Sequence, residues 1–187
     1  MVQSPVPTLT LDSFLALPET QPASEFLNNQ LLQKPMPQGE HSLLQVALCK
    51  AIDRAGEPQR IAKAFSELRC VFGGAAIVPD VSVFRWQRIP RKASGRIANR
   101  FDTYPDWAIE ILSPEQAQTK PLEKLLHCIE HGTELGWLLD PEADSVLTIS
   151  SESRIKLYRD QKLLPSISGL ELALSAREIF GWLSLPE

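Results

Sequence analysis

Two carboxylates in this chain stand where apolar side chains are expected. Asp80 follows Pro79 in the run VPDVSVF at 78 to 84, and Glu110 interrupts the apolar run WAIEIL at 107 to 112. A carboxylate inside a segment that otherwise reads as a buried strand is costly to desolvate unless it pairs or binds a cation. Two such residues, brought to one end of one sheet, make a candidate metal site. Glu25, on an extended segment, and Glu40 and His41, just ahead of a helix, are candidates to support those ligands. For His41 a phosphate contact, a supporting contact and a plain helix start are all open, and the last is the simplest. Glu25 could equally face solvent. Asp106 and Glu115 flank the strand that carries Glu110, where a surface turn explains both as well as a second metal would.

Other chemistries find less support. His127, Cys128 and His131 lie close on one helix, but no other part of the chain offers ligands that would converge with them, so zinc is not expected. There is no Gly-rich phosphate loop, no GxSxG elbow and no nucleophile paired with a base at a recognisable spacing, which argues against nucleotide hydrolysis and acyl transfer. The three cysteines, Cys49, Cys70 and Cys128, are odd in number and lack CxxC spacing. Neither a disulfide framework nor a zinc module is indicated, and a reducing cytoplasm is the expected compartment. The opening MVQSPVPTLT has no basic segment followed by an apolar one, and no run approaches the roughly 20 apolar residues of a membrane span.

Charge is distributed unevenly. The chain carries 19 Lys and Arg against 23 Asp and Glu, a formal net charge of -4. The stretch RWQRIPRKASGRIANR at 85 to 100 nevertheless holds Arg85, Arg88, Arg91, Lys92, Arg96 and Arg100 and no acid. Pro90, Ser94 and Gly95 mark it as loop or turn. It is a candidate surface for nucleic-acid phosphates, though a solvated basic loop accounts for it as simply. Trp86 could stack on a base or cover core.

These residues need a scaffold. A length of 187 residues with 43% hydrophobic content favours one domain with one sizeable core. Residues 1–24 read as a peripheral lead-in with a short helix near Leu11 to Leu17, and 25–187 as a single domain. Glu25 to Lys34 reads as extended around the turn pair Asn28 and Asn29. A helix from about His41 to Ala55 follows from Leu44, Ala47, Leu48, Ala51 and Ile52, with Gly56 closing it. Strands are expected at Cys70 to Phe72, Ala76 to Phe84, with Val81 and Val83 alternating with a half-exposed Ser82, and Trp107 to Leu112. A second helix starts near Thr119 as cap, with Pro121 in its first turn and a buried stripe of Leu122, Leu125, Leu126 and Ile129; Lys124, Cys128 and His131 fall on another side. Strands at Leu135 to Leu139, Ser145 to Ile149 and Ile155 to Arg159 come next, Asp140 and Pro141 shaping a turn. Ser175 with Glu178 is a capping box for a last helix to Trp182. The pattern is α/β.

In order, VPDVSV at 78 to 83, AIEILSP at 108 to 114, EKLLHCIEHG at 123 to 132 and LGWLLDPE at 135 to 142 resemble the restriction endonuclease-like family expanded in cyanobacteria, within the PD-(D/E)XK nuclease superfamily. EFLNNQLL at 25 to 32 and EHSLLQVAL at 40 to 48 are similar to that family's opening strands and first helix. The resemblance implies a restriction endonuclease-like core, a central mixed β-sheet flanked by helices, and a Mg2+-dependent endonuclease acting on DNA, with Mn2+ as an alternative ion and a homodimer as an expected assembly. It implies Asp80, Glu110 and the backbone carbonyl of Ile111 as metal ligands, a donor set suited to a hard cation that keeps water and phosphate ligands. The superfamily's lysine, two positions after the acid, is Leu112 here. Lys124 is similar to the family's migrated substitute, which orients water or offsets charge. Cys128 stands where the family usually has tyrosine, and Lys120 where it often has aspartate, so a decayed module that only binds nucleic acid or a protein is the alternative.

Overall fold

The computed structural model describes residues 9–185, so the first eight residues of the expected lead-in, and the last two of the chain, lie outside the described residues. From the N-terminus the elements are α1 (Leu11–Leu15), β1 (Ser24–Leu27), β2 (Gln30–Gln33), α2 (Gly39–Gly56), β3 (Ala62–Ser66), β4 (Cys70–Phe72), β5 (Ala75–Ile77), β6 (Val81–Arg85), β7 (Trp107–Ile111), α3 (Thr119–Glu130), β8 (Leu135–Asp140), β9 (Ser145–Ser150), β10 (Ile155–Tyr158) and α4 (Ala176–Gly181). They form a mixed six-stranded sheet in the order β10-β9-β8-β7-β6-β3 and a smaller antiparallel sheet in the order β2-β1-β5-β4. Only the β7–β8 pair of the large sheet is parallel, and the crossover that parallel pairing requires is α3. Asn28 and Asn29, at φ 51° and 60°, turn the β1–β2 hairpin in the left-handed region that asparagine tolerates.

Side-chain alternation assigns the two faces of the large sheet. Val81, Val83, Trp107, Ile109, Ile111, Trp137 and Leu139 pack against Leu44, Leu48 and Ile52 of α2 and Ile179 and Phe180 of α4. Phe84, Ala108, Leu112 and Leu138 face the other way, onto Leu125, Cys128 and Ile129 of α3 and onto Leu27, Ala75 and Ile77 of the small sheet. With strand side chains alternating at period two, Glu110 shares the second face with Ala108 and Leu112. That is the face Lys124 approaches from α3.

Several expectations change. The run Ala76 to Phe84 is two strands in two different sheets, divided at Val78–Pro79–Asp80, because Pro79 cannot donate to a ladder. Ser82 is fully buried. Strand β3 (AKAFS), pairing with β6, was not expected from the sequence. Gly56 does not turn the chain out of α2: a Cβ there would lie 2.6 Å from the Ala62 carbonyl oxygen, so the residue permits close helix-to-strand packing instead. Thr119 is the first residue of α3 rather than its cap, and Gln118 at the cap makes no side-chain capping bond. The buried face of α3 is Pro121, Lys124, Leu125, Cys128 and Ile129; it keeps Leu125 and Ile129 of the expected stripe, with Leu122 and Leu126 partly buried at its edge, and Lys124 lies on it and not beside it. The capping box of Ser175 and Glu178 is present. In the lead-in, α1 docks Phe14 on Phe26 with ring centroids 5.7 Å apart.

Candidate active site

Asp80 and Glu110 meet across the β6–β7 ladder. Val81 pairs with Ile109, so one step further along the antiparallel register sets Asp80 opposite Glu110. Both are almost fully buried, at 2% and 4% exposure, on the floor of a cleft of roughly 780 Å³. Strand β1 and the end of β2 form one wall and α3 another; Glu19 to Ala23 of the lead-in also line the opening.

Each carboxylate has its own partners. Asp80 Oδ2 accepts the Ile111 N–H at 2.7 Å and lies 3.1 Å from His41 Nε2, while Oδ1 accepts from Lys34 Nζ at 2.7 Å. Lys34 also donates to both Glu67 oxygens, at 2.9 and 3.0 Å, and to the Val78 carbonyl at 2.9 Å. Gln45 Nε2 links the Asp80 carbonyl and Glu67, at 2.8 and 2.9 Å. Lys124 Nζ lies 2.8 and 2.9 Å from the two Glu110 oxygens and 2.8 Å from Glu25 Oε1, which in turn accepts the Val78 N–H at 2.6 Å. The approach to Glu110 Oε1 lacks hydrogen-bond geometry, which leaves that buried oxygen without a hydrogen bond.

Charge counting explains the titration of the cluster. Three buried carboxylates, Glu25, Asp80 and Glu110, share the two ammonium groups of Lys34 and Lys124. Burial alone would push Asp80 up, but Lys34, His41 and Lys124 outweigh it and hold this carboxyl well below the ordinary range. Glu110 is the least compensated. Burial pushes it up, Lys124 pulls it back, Asp80 and Glu25 push again, and the result stands at about 8. Burial would also lower both lysines, yet the surrounding carboxylates win and keep them charged, Lys34 mainly through Asp80 and Lys124 mainly through Glu110. The negative excess therefore raises both the lysines and the weakest-held acid.

A hard divalent cation fits this donor set. Two carboxylates of adjacent strands, an unbonded Glu110 oxygen and the Ile111 carbonyl, which leaves β7 on the same side as the N–H that reaches Asp80, are oxygen donors of the kind Mg2+ takes while retaining water. Among the described residues no group of three His, Cys, Asp or Glu side chains is placed to hold a metal, so a cation here would rest on the two carboxylates completed by the backbone carbonyl and water.

The structure brings together Asp80, Glu110, Ile111, Lys124, Glu25 and His41. It leaves Glu40 exposed in the first turn of α2, beside an adjoining cavity lined by Glu115, Asp140 and Glu142. Arg85 and Arg88 depart from the expectation of free phosphate-binding residues. Arg85 pairs with both Glu134 oxygens at 2.7 and 2.8 Å, and Arg88 binds Asp106 at 2.5 Å and the Tyr104 carbonyl at 3.1 Å. Their guanidinium groups hold the opposite end of the sheet, roughly 15 Å from Asp80 along a five-residue strand. Asp106 is thereby a structural acid, and it also accepts the Arg85 N–H at 2.7 Å. Arg91, Lys92, Arg96 and Arg100 are exposed, and the neighbouring Asn99 lines the cleft. Trp86 is partly buried against the core, with the Arg91 guanidinium 6.0 Å from its ring. The rings of His127 and His131 lie 4.2 Å apart, tilted by 38°, on the Phe72 side, and Cys128 is buried in the core.

Lys34, Glu67 and Gln45 were not foreseen. Gln45 could have been, since it sits at i+4 from His41, a candidate already, on the same helical face as Leu44 and Leu48. Lys34 carries no such signal, because its place depends on two sheets meeting.

The chain matches the family model described as Uma2, putative restriction endonuclease, over residues 11–180. No curated protein matches it. Among solved structures it is similar to the crystal structure of a putative nuclease belonging to DUF820 from Anabaena variabilis, with 49% identity and a TM-score of 0.92 over 94% of this chain and 99% of that one. The fold is therefore that of a nuclease-type mixed sheet flanked by helices. No helix among the described residues is long and apolar enough to cross a membrane.

Proposed function

We propose, from the premise that this chain belongs to the Uma2 family of putative restriction endonucleases, that it is a metal-dependent endonuclease hydrolysing phosphodiester bonds of DNA. The observation that carries the reading is the convergence of Asp80, Glu110 and Lys124 at the buried floor of an open cleft. Asp80, Glu110 and the Ile111 carbonyl would hold Mg2+ or Mn2+. A bound ion of this kind supplies Lewis-acid polarisation of a phosphate and acidifies water at neutral pH. Lys124 is held by Glu25 and Glu110 so that its ammonium faces the same floor, where it can orient water and offset charge developing on the phosphate. His41 and the Ile111 N–H fix the Asp80 rotamer. Arg91, Lys92, Arg96 and Arg100 would track the backbone of the bound strand, contributing affinity without sequence information. Two copies of the chain would be needed to address both strands of a duplex at once, which makes a homodimer the corresponding assembly.

A second reading draws on the ion pairs. Lys34 and Lys124 already neutralise much of the carboxylate charge, as they would in a module that binds nucleic acid or a protein without cutting. Cleavage of supercoiled plasmid by the purified protein with Mg2+ or Mn2+, beside Asp80→Ala, Glu110→Ala and Lys124→Ala, separates the two. Metal-dependent nicking that disappears in all three variants supports the nuclease. A folded wild type that binds DNA and never nicks it supports the binding module.

A further inference from the structure

The two oxygens of Asp80 are used differently. Oδ2 is committed to the protein, accepting the Ile111 N–H at 2.7 Å and facing His41 Nε2 at 3.1 Å. Oδ1 is the oxygen left for a cation, and Lys34 Nζ sits on it at 2.7 Å. This ammonium group is no loose surface charge. Its side chain is 8% exposed, it lines the cleft, and Glu67 and the Val78 carbonyl hold it from behind at 2.9 to 3.0 Å. A divalent ion and Lys34 thus need one and the same oxygen, whereas Lys124 serves a different pair of carboxylates, Glu110 and Glu25.

We propose that Lys34 is a second lysine of the active site, an internal counter-cation that occupies Asp80 Oδ1 until a divalent ion takes that oxygen and that then turns to a phosphate of the bound strand. The inference rests on the nuclease reading and adds a residue to it. Glu67, whose side chain is 39% exposed, is the pivot: it keeps one side of the ammonium anchored while the Asp80 side is exchanged. The arrangement keeps Asp80 ionised and compensated in the metal-free protein, so no bare carboxylate is buried before the ion arrives. Once displaced, an ammonium beside the ion adds positive charge where the strand enters, and the ion's own affinity is set by what it must displace.

The test compares wild type, Lys34→Gln, Lys34→Arg and Lys120→Gln. Lys120 is an exposed lysine of the same cleft and controls for the general field. Mn2+ binding is measured without DNA by electron paramagnetic resonance. Lys34→Gln should bind Mn2+ at least about fivefold more tightly, the lower end of ordinary site-to-site coupling, with Lys34→Arg and Lys120→Gln within about twofold of wild type. Binding of a short duplex with Ca2+ as the cation is then followed against salt, and Lys34→Gln should lower the slope by about 0.9, the loss of one phosphate contact. Equal Mn2+ affinity in wild type and Lys34→Gln, or an unchanged salt slope, overturns the proposal while the nuclease reading stands. Wild type that binds no Mn2+ at all removes both. Amine labelling of the wild type read by mass spectrometry needs no variant to fold: Mn2+ should raise labelling at Lys34 and leave Lys124 protected, and unchanged labelling at Lys34 counts against displacement.

Discussion

Replacing Lys124 by methionine isolates what one buried ammonium does for this fold. Its Nζ lies 2.8 Å from Glu25 Oε1 and 2.8 and 2.9 Å from the Glu110 oxygens, and its side chain is 6% exposed. Methionine fills a similar volume, so the dominant effect is electrostatic: two buried carboxylates lose a shared counter-charge. Breaking such a buried pair costs about 3–5 kcal/mol. For a chain of this size about 2–4 °C per kcal/mol applies, so the metal-free variant should melt roughly 6–20 °C below wild type at pH 8. The deficit should depend on pH with a definite sign. In the wild type Glu110 titrates at about 8, above its ordinary value of 4.5, so its favourable share of stability is present below that ordinary value and fades as pH rises through about 8. Without Lys124 the folded carboxyl of Glu110 loses its strongest downward pull and rises further. The share of the gap that Glu110 carries should therefore be small near pH 5, where this carboxyl holds its proton in both folded proteins, and should widen as pH reaches and passes about 8. Differential scanning fluorimetry at both pH values, with and without excess Mg2+, reads this directly, and Mg2+ should close part of the gap at pH 8 by compensating the same acids. A shift below about 2 °C at pH 8, or an equal shift at both pH values, would refute the charge accounting for the site.

Two further outcomes follow from the same geometry. Glu110→Gln removes the raised carboxyl, so the melting temperature of the metal-free variant relative to wild type should climb between pH 5 and about pH 8, the window in which wild type loses that share of stability; a difference that stays flat across the window would count against the upward shift. Arg88→Ala should cost about 1–3 kcal/mol in a denaturant titration, because Asp106, 3% exposed, loses a charged donor, and it should leave DNA affinity nearly unchanged. The exposed Arg96→Ala and Arg100→Ala should do the reverse, each flattening the salt dependence of DNA binding by about 0.9 with little effect on stability. Equal behaviour of Arg88 and Arg96 in both assays would undo the division of the basic segment.

What could be read from the sequence, and what could not, divides along the range of the interaction. Asp80 and Glu110 announce themselves because a carboxylate among apolar strand residues violates a local rule, and such violations collect where a protein does chemistry. The helices α2 and α3 and the strands β7, β8 and β9 are likewise set by patterns within one segment. The errors arise where that local logic is bent by the site itself. On α3 the buried face shares Leu125 and Ile129 with the expected apolar stripe but turns toward Lys124, which any hydrophobicity pattern counts as outward. In VPDVSVF the apolar run continues across Pro79 although the chain passes there from the small sheet to the large one, and that passage is what delivers Asp80 to the cleft. Lys34 and Arg85 exchange their expected importance for a purely non-local reason. Lys34 lies 46 residues from Asp80 and meets it only because the β1–β2 hairpin closes over the end of β6, whereas Arg85, in the conspicuous basic run, finds Glu134 49 residues away at the far end of the sheet. A charge cluster in sequence thus splits between the two ends of one sheet. The cations nearest the carboxylates come from elements that carry no cluster at all, so the density of basic residues along the chain is a poor guide to where this fold concentrates positive charge.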